Sequence, residues 1–584
     1  MNGLAASAGA LPRTAAQRTA PVALAGRRQT AFARARYRLV IGGMVFTALT
    51  AAMALRLGDL ALLHDRPAAA AGAATSVPRR ADIVDRNGVE LARSFEAFGV
   101  SVFPRQLVSD PRALARRLST IITDRTEAQL YAELTHRATY RYLSRRVLPA
   151  QAKAINDLGE PAITLEREPE RLYPNLNLGA HILGYTESGT DRAFGRSGME
   201  LAFDKPLADI ATRGTPMVLA MDSRVQQALT AELAAGMAKH RAIGAAGIVL
   251  DVHTGEVVAM VSLPDFNPNA PGHSPADNRF NRATQGVYEL GSTFKALTIA
   301  MGLDSGVITS MQQTFDARAP IRVGGFTIND DRSHRLRKFA NTPEIFIFSS
   351  NIGTARMASA LGAERQRAYL DRLGFLSPVR VELPERGRTL YPRVNNWGES
   401  ATMTVGYGHG VSVSPLHLAI SYAALVNGGV LHPATMFKVV PGEVVPGRRI
   451  FTEATSDKMR ALLRFVVTSG TGRKANTPGY RVGGKTGTSI KVVNGRYVHK
   501  SLVSSFAAAF PMDAPRYVVI AMLDEPKGTA DTGGYATAGM VVAPIVDKVV
   551  ARVGPVLGVA PDVTRDVDIR GILGIVEAPK VGEE

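Results

Sequence analysis

The pattern of hydrophobic and polar positions changes texture several times along the chain. Residues 39–55, LVIGGMVFTALTAAMAL, carry no charge; Arg56 and Asp59 interrupt, and LALL follows. About 20 apolar residues span a bilayer, and Arg56 can snorkel near the end. Residues 39–63 are therefore predicted to form a single transmembrane anchor. Residues 64–78, rich in Ala and Pro, read as a linker. In RRADIVDRNGVELARS, 79–94, apolar runs flank the turn residues Asp85-Arg86-Asn87-Gly88, a hairpin signal. Residues 110–170 read as amphipathic, charged helical stretches such as DPRALARRLSTIIT and RVLPAQAKAINDLG. The block 79–225 is expected to be a separate support domain.

From residue 226 the texture changes again. VQQALTAELAAGMAKH is an amphipathic helix, and AAGIVLDVHTGEVVAMVSLP, 245–264, predicts two strands about the turn DVHTGE. LVSSFAAAF (502–510) and YVVIAMLDEP (517–526) predict a second hairpin about PMDAPR. The segments between are mostly helical. Strands at both ends of a helical middle indicate one α+β domain, 226–556, whose ends pair in one antiparallel sheet. Residues 557–584 are expected to be a weakly ordered tail. Later apolar runs such as 515–523 are strand-length, so no second span is expected.

Charge sharpens this outline. The formal net charge is +18 over 584 residues, and residues 1–38 hold seven arginines and no acid. The positive-inside rule keeps this basic tail cytoplasmic and the rest outside. A cleaved signal peptide is the rival, with small residues at 66–76; the long basic region and long apolar run favour an uncleaved anchor. The arginines are scattered and lack aromatic interleaving, which argues against nucleic acid as partner. With no cysteine, disulfides, thiolate metal sites and cysteine nucleophiles are excluded. No metal-ligand cluster stands out, and no cofactor is expected.

The candidate chemistry lies in YELGSTFKALT, 288–298. Ser292 and Lys295 share a face at a predicted helix start, so Ser292 Oγ and Lys295 Nζ can meet there. A serine needs a base, and burial and the helix dipole both favour the neutral amine that could serve. Alone, the pair reads equally as a helix cap and a first-turn lysine. Two further patterns occur once each: Ser349-Ser350-Asn351 and Lys485-Thr486-Gly487-Thr488.

Ser-x-x-Lys, Ser-x-Asn and Lys-Thr-Gly in this order resemble the penicillin-binding serine acyltransferases. The resemblance covers nearly all of the chain after the anchor. RRADIVDRNGVELA, RLYPNLNLGAHILGYT and GRSGMELAFDKPL resemble the elongated N-terminal pedestal (dimerisation-type) domain of class B penicillin-binding proteins. DVHTGEVVAMVSLPDFNPN, GYGHGVSVSPLHLAISYAALVNGG and FPMDAPRYVVIAMLDEPKG resemble their transpeptidase domain, a penicillin-binding/serine β-lactamase-like fold of antiparallel sheet with helices. Length, short tail and GYGHGVSVSP are similar to the division-specific (FtsI-type) branch. Leu290 stands where the family often has proline, and Ala81 where it usually has glycine. Both bear on backbone shape alone.

The resemblance implies a peptidoglycan D,D-transpeptidase active in septal wall synthesis, in the bacterial inner membrane with its catalytic domain periplasmic. Ser292 would be the nucleophile, Lys295 its base, Ser349 the proton relay and Asn351 the holder of substrate amide and Lys295. Lys485, Thr486 and Thr488 would bind the D-alanyl-D-alanine carboxylate, with Gly487 leaving room for substrate backbone. The backbone N–H groups of Ser292 and Thr488 would form the oxyanion hole. Implied partners are stem peptides, β-lactams trapped as acyl-enzymes, a SEDS-family glycan polymerase (FtsW type) and other divisome proteins. His409, Tyr407 and Trp397 read as structural. Open alternatives are an elongation-specific transpeptidase, a D,D-carboxypeptidase, a β-lactamase, and a non-enzymatic divisome scaffold or β-lactam sensor. A β-lactamase would need a deacylating glutamate in a matching motif, and a sensor an intracellular signalling domain.

Overall fold

The computed structural model describes residues 36–54 and 80–577, apart from 189–192, 210, 212–213, 331–335 and 494–495. Two compact units result, Met1–Ser76 and Val77–Glu584. In the first, helix α1 (Arg36–Ala54) has 19 residues and is apolar enough to cross a membrane. At 1.5 Å per residue it is about 28 Å long, close to a hydrocarbon core. It starts three residues before the expected anchor, whose residues 55–63 lie outside the described residues, as does the 64–78 linker.

The second unit begins with a pedestal of sheet and helices. Strands β1 (Ile83–Val84) and β2 (Glu90–Val102) flank the expected turn and pair antiparallel. Helices α2 (Pro111–Ser119) and α3 (Glu127–Leu134) follow. Asp110 caps α2 by accepting the Ala113 N–H at 2.8 Å, with proline in the first turn. Strand β3 (Arg141–Val147), helix α4 (Pro149–Asn156) and strand β4 (Ile163–Leu172) complete the head, with β3 and β4 both paired to β2. Leu114, Leu118, Leu130, Leu143 and Ile155 form its core. The all-helical expectation for 110–170 is thus corrected. Charged residues on the open face of β3 and β4 give these strands the polarity of a solvated helix.

The expected break near residue 225 is a joint, not a gap. Strand β5 (Met217–Val218) pairs parallel with β1, and α5 (Ser223–Lys239) starts five residues later. Buried Asp85 accepts the Asn87 and Val89 N–H groups of its own turn and, at 3.1 Å, the Ser223 N–H of α5. Ile83 and Leu91 belong to the same hydrophobic core as the residues that follow.

The catalytic half is built on one antiparallel sheet. Its strands are β6 (Gly244–Asp251), β7 (Val257–Leu263), β8 (Gly483–Val493), β9 (Arg496–Phe510) and β10 (Tyr517–Asp524), in the order β8-β9-β10-β6-β7. Both ends of the domain therefore pair, as expected. Side chains alternate across a strand, and here both faces are apolar. Val518, Ile520 and Met522 face one core; Val519, Ala521 and Leu523 face the other. The first core takes α6 (Phe294–Asp304), α8 (Pro415–Val426) and α9 (Glu453–Ser469); the second takes α5 and α10 (Ala543–Val556). Helix α7 (Asn351–Leu361) lies in the helical middle.

The expected tail is corrected over residues 557–577. Arg464 grips Asp566 with bonds of 2.6–2.9 Å, Asn341 donates to the Ile575 carbonyl at 2.6 Å, and Glu577 pairs with Arg337 at 2.6 Å. Ile572 is buried in the main core. Residues 578–584 lie outside the described residues.

Candidate active site

Three separate elements bring the three motifs to one cleft of about 390 Å³. Ser292 sits in the 3-10 turn Gly291–Thr293 that opens α6, and Lys295 lies in the first turn of α6. Ser349 and Asn351 stand at the start of α7. Lys485 to Thr488 occupy β8, an edge of the sheet paired only with β9. Ser292, Ser349, Asn351, Thr486 and Thr488 all line the cleft, with Ser292 half-buried.

Lys295 and Lys485 are fully buried and converge on one hydroxyl. Ser349 Oγ is 3.1 Å from Lys295 Nζ and 3.0 Å from Lys485 Nζ. Lys295 also donates to Asn351 Oδ1 at 2.7 Å and to the Ser349 carbonyl. Lys485 also donates to the Thr486 carbonyl at 3.0 Å and to Thr486 Oγ1 at 3.3 Å. Ser349 presents carbonyl and hydroxyl together because it holds a left-handed backbone, φ 59°. That conformation costs a non-glycine residue about 1–3 kcal/mol and clusters at functional sites. The polar contacts of Lys295 Nζ among the described residues go to Ser349 and Asn351, and none to Ser292 Oγ.

Among the described residues, neither lysine makes an ion pair with a carboxylate. Burial pulls the Lys295 pKa down to about 7, against an upward pull from Asp330. Burial, and then the neighbouring Lys295 charge, hold Lys485 well below the ordinary lysine range. Two buried like charges sharing one hydroxyl disfavour double protonation. Either lysine, once held neutral by this environment, would carry a free lone pair and could act as a base.

The remaining predicted residues divide. Thr486 Oγ1 lies 2.8 Å from Thr471 Oγ1, and Thr488 Oγ1 accepts the Ala538 N–H at 3.0 Å. At Gly487 a Cβ would stand 2.3 Å from the Leu290 carbonyl oxygen and 2.8 Å from Thr293 Cγ2. Glycine there lets β8 seat against the nucleophile turn. His409 lines the end of the cleft, its ring 5.1 Å from Tyr407, and burial lowers its pKa to about 4. Neutral at pH 7, it forms no ion pair with Glu289. Trp397 is buried and donates to Gln366 Oε1 at 3.0 Å, a packing residue as expected. Sequence reading missed Asp330, Arg473 and Lys474, which also line the cleft. No spacing rule joins Asp330 to a motif 20 residues away.

A family model described as "Penicillin binding protein transpeptidase domain" matches residues 245–550, and one described as "Penicillin-binding Protein dimerisation domain" matches 75–215. The chain belongs to the penicillin-binding proteins. This penicillin-binding protein is 42% identical over 493 residues to the probable peptidoglycan D,D-transpeptidase FtsI of Caulobacter vibrioides, covering 82% of each chain. It is 29% identical to the peptidoglycan D,D-transpeptidase FtsI of Escherichia coli K12, over 83% of this chain and 84% of that one. It shares its fold with penicillin binding protein 3 of Mycobacterium tuberculosis, solved with aztreonam: TM-score 0.64, 24% identity, 83% of this chain and 98% of the other. With pedestal and transpeptidase domains both present, it is a class B member of the FtsI type, a serine-type transpeptidase.

Proposed function

We propose that this penicillin-binding protein cross-links peptidoglycan stem peptides during septal wall synthesis through an acyl-enzyme on Ser292. The observation that carries the reading is the pair of buried, carboxylate-free lysines sharing Ser349 Oγ in the Ser292 cleft. A stem peptide ending in D-alanyl-D-alanine brings a carboxylate to Lys485, Thr486 and Thr488. That charge stabilises Lys485 as the ammonium and, through it, Lys295 as the amine. Lys295 then takes the Ser292 proton as Oγ attacks the penultimate carbonyl. The backbone N–H groups of Ser292 and Thr488 hold the oxyanion. Ser349 passes the proton to the leaving D-alanine, and Asn351 steadies Lys295 and the substrate amide. An amine from a second stem peptide attacks the ester carbonyl: the C–N bond forms, the C–Oγ bond breaks, and Ser292 regains its proton.

β-Lactams acylate the same serine. Gel labelling with a fluorescent penicillin tests this: wild type labels covalently, and Ser292→Ala does not. Label persisting on the folded variant would mean that another serine is the nucleophile.

The arginine-rich tail favours a cytoplasmic N-terminus and a periplasmic catalytic domain. Gly42, Gly43 and the alanines of the anchor permit close approach of another helix, which suits pairing with a SEDS-family polymerase. Septal localisation that survives replacement of residues 39–63 counts against that pairing.

A further inference from the structure

One acidic group on the cleft wall takes no part in the steps above. Asp330 follows the strand Phe326–Ile328 and reaches the start of α7. Its Oδ1 accepts the Asn351 N–H and, at 3.0 Å, the Ile352 N–H; its Oδ2 accepts the Ser350 hydroxyl at 2.5 Å. These are first-turn N–H groups, which the helix itself cannot satisfy. Next to it, the Asn329 carbonyl accepts the Asn351 side-chain N–H at 3.0 Å. With its nitrogen so engaged, Asn351 turns Oδ1 to Lys295. Residues outside the three motifs therefore fix both the backbone and the side chain of Asn351.

Capping alone would not require a carboxylate here. Ser350 Oγ already caps α7 by accepting the Gly353 N–H at 2.9 Å, and neutral caps serve nearly as well. The charge is what stands out. Among the described residues, the titratable groups acting around Lys295 are Lys485, His409 and Asp330, with Arg473 and Lys474 also on the cleft wall. Among the described residues that line the cleft, Asp330 is the one anion. A base works best when its proton affinity is matched to the working pH, and a cluster of cations alone makes a lysine too weak a base.

We propose that Asp330 is a positioning residue that holds the Ser-x-Asn turn against Lys295 and supplies the counter-charge that sets how firmly Lys295 keeps its proton. The role rests on Lys295 being the base. The test is the rate of acylation by a fluorescent penicillin, measured on the full chain in detergent from about pH 5.5 to 9. Asp330→Asn keeps an acceptor but loses the charge. Its rate should still rise with pH, with a midpoint about one pH unit lower and a plateau roughly tenfold lower. Asp330→Glu should restore the midpoint. Ser350→Ala, which weakens the cap and keeps the charge, should slow acylation without moving it. A midpoint unchanged in Asp330→Asn, with a wild-type melting temperature, would overturn the proposal. So would a midpoint in Ser350→Ala displaced as far as in Asp330→Asn. Lys295→Met separates the two levels: normal acylation by that variant removes the base reading itself, whereas an inactive Lys295→Met beside an unmoved Asp330→Asn removes only the role of Asp330.

Discussion

Two of the buried-cation clusters among the described residues are built on opposite rules. In the pedestal, Arg80 and Arg171 both bind Glu200, at 2.9 and 2.7 Å, and Arg80 also binds Asp204 at 2.7 Å. In the cleft, Lys295 and Lys485 meet only hydroxyls, carbonyls and one amide. The pedestal cluster joins the three segments that resemble the family pedestal: Arg80 from the first, Arg171 from the second, Glu200 and Asp204 from the third. Its charges are matched, and arginine keeps its proton under such conditions. Lysine does not, and the cleft uses that difference. Directly paired buried charges fix geometry; a buried lysine that bonds no carboxylate is available for proton transfer.

The largest expected effect comes from removing the cleft lysine that bonds no carboxylate. Lys295→Met should lower the rate of penicillin acylation by about 10³-fold, within the range for losing a general base. It should not lower the melting temperature at neutral pH, because methionine fills the buried channel without needing a proton. The sign of the pH dependence follows. Folded Lys295 titrates near 7 and the unfolded side chain near its ordinary 10.5. Between those values the unfolded chain binds more protons, so this residue makes the wild type more stable as pH rises. Below about 7 its burial carries the full cost; above 10.5 the cost is gone. Thermal melts of wild type and variant should therefore converge in that direction from pH 7 to 10. An unchanged difference would mean that Lys295 is protonated in the fold throughout.

In the pedestal the corresponding change acts on stability alone. Glu200→Gln leaves two buried guanidinium groups short of a counter-charge, a loss of about 3–5 kcal/mol. The melting temperature should fall by many degrees, while the protein still folded at low temperature should acylate within about twofold of wild type. A slow-acylating variant with an unchanged melting temperature would mean that the pedestal cluster acts on the cleft, and the comparison would fail.

What sequence reading could reach follows from the same contrast. Sheet strands buried on both faces are continuous apolar runs, so β6, β7, β9 and β10 were visible. So were the three motifs, whose residue types are set by chemistry. Strands β3 and β4 were hidden because one face is charged. The order of residues 557–577 was hidden because its partners, Arg337, Asn341, Glu344 and Arg464, are more than 100 residues away. Asp330 was hidden for the same reason: its meaning lies in which N–H groups it meets. The contact of Lys295 with Ser349 rather than Ser292 depends on the left-handed turn at Ser349, which no local pattern announces.

The smallest expected effect sets the zero of the comparison. Lys153 and Asp157 form an i,i+4 pair at 2.7 Å on the surface of the pedestal, with side chains 77% and 55% exposed. Water screens both charges, and holding two long side chains together costs entropy nearly equal to the attraction. Lys153→Ala should change stability by about 0.5 kcal/mol or less, and less still in high salt. Its distance matches that of the Arg171–Glu200 bond, so contact geometry alone would assign the two pairs equal weight. Denaturant titrations of both variants decide between geometry and burial. If Lys153→Ala costs as much as Glu200→Gln, pairing distance governs and the buried clusters lose their special status. A difference of several-fold places the energy in desolvation, which is also what makes the two cleft lysines reactive.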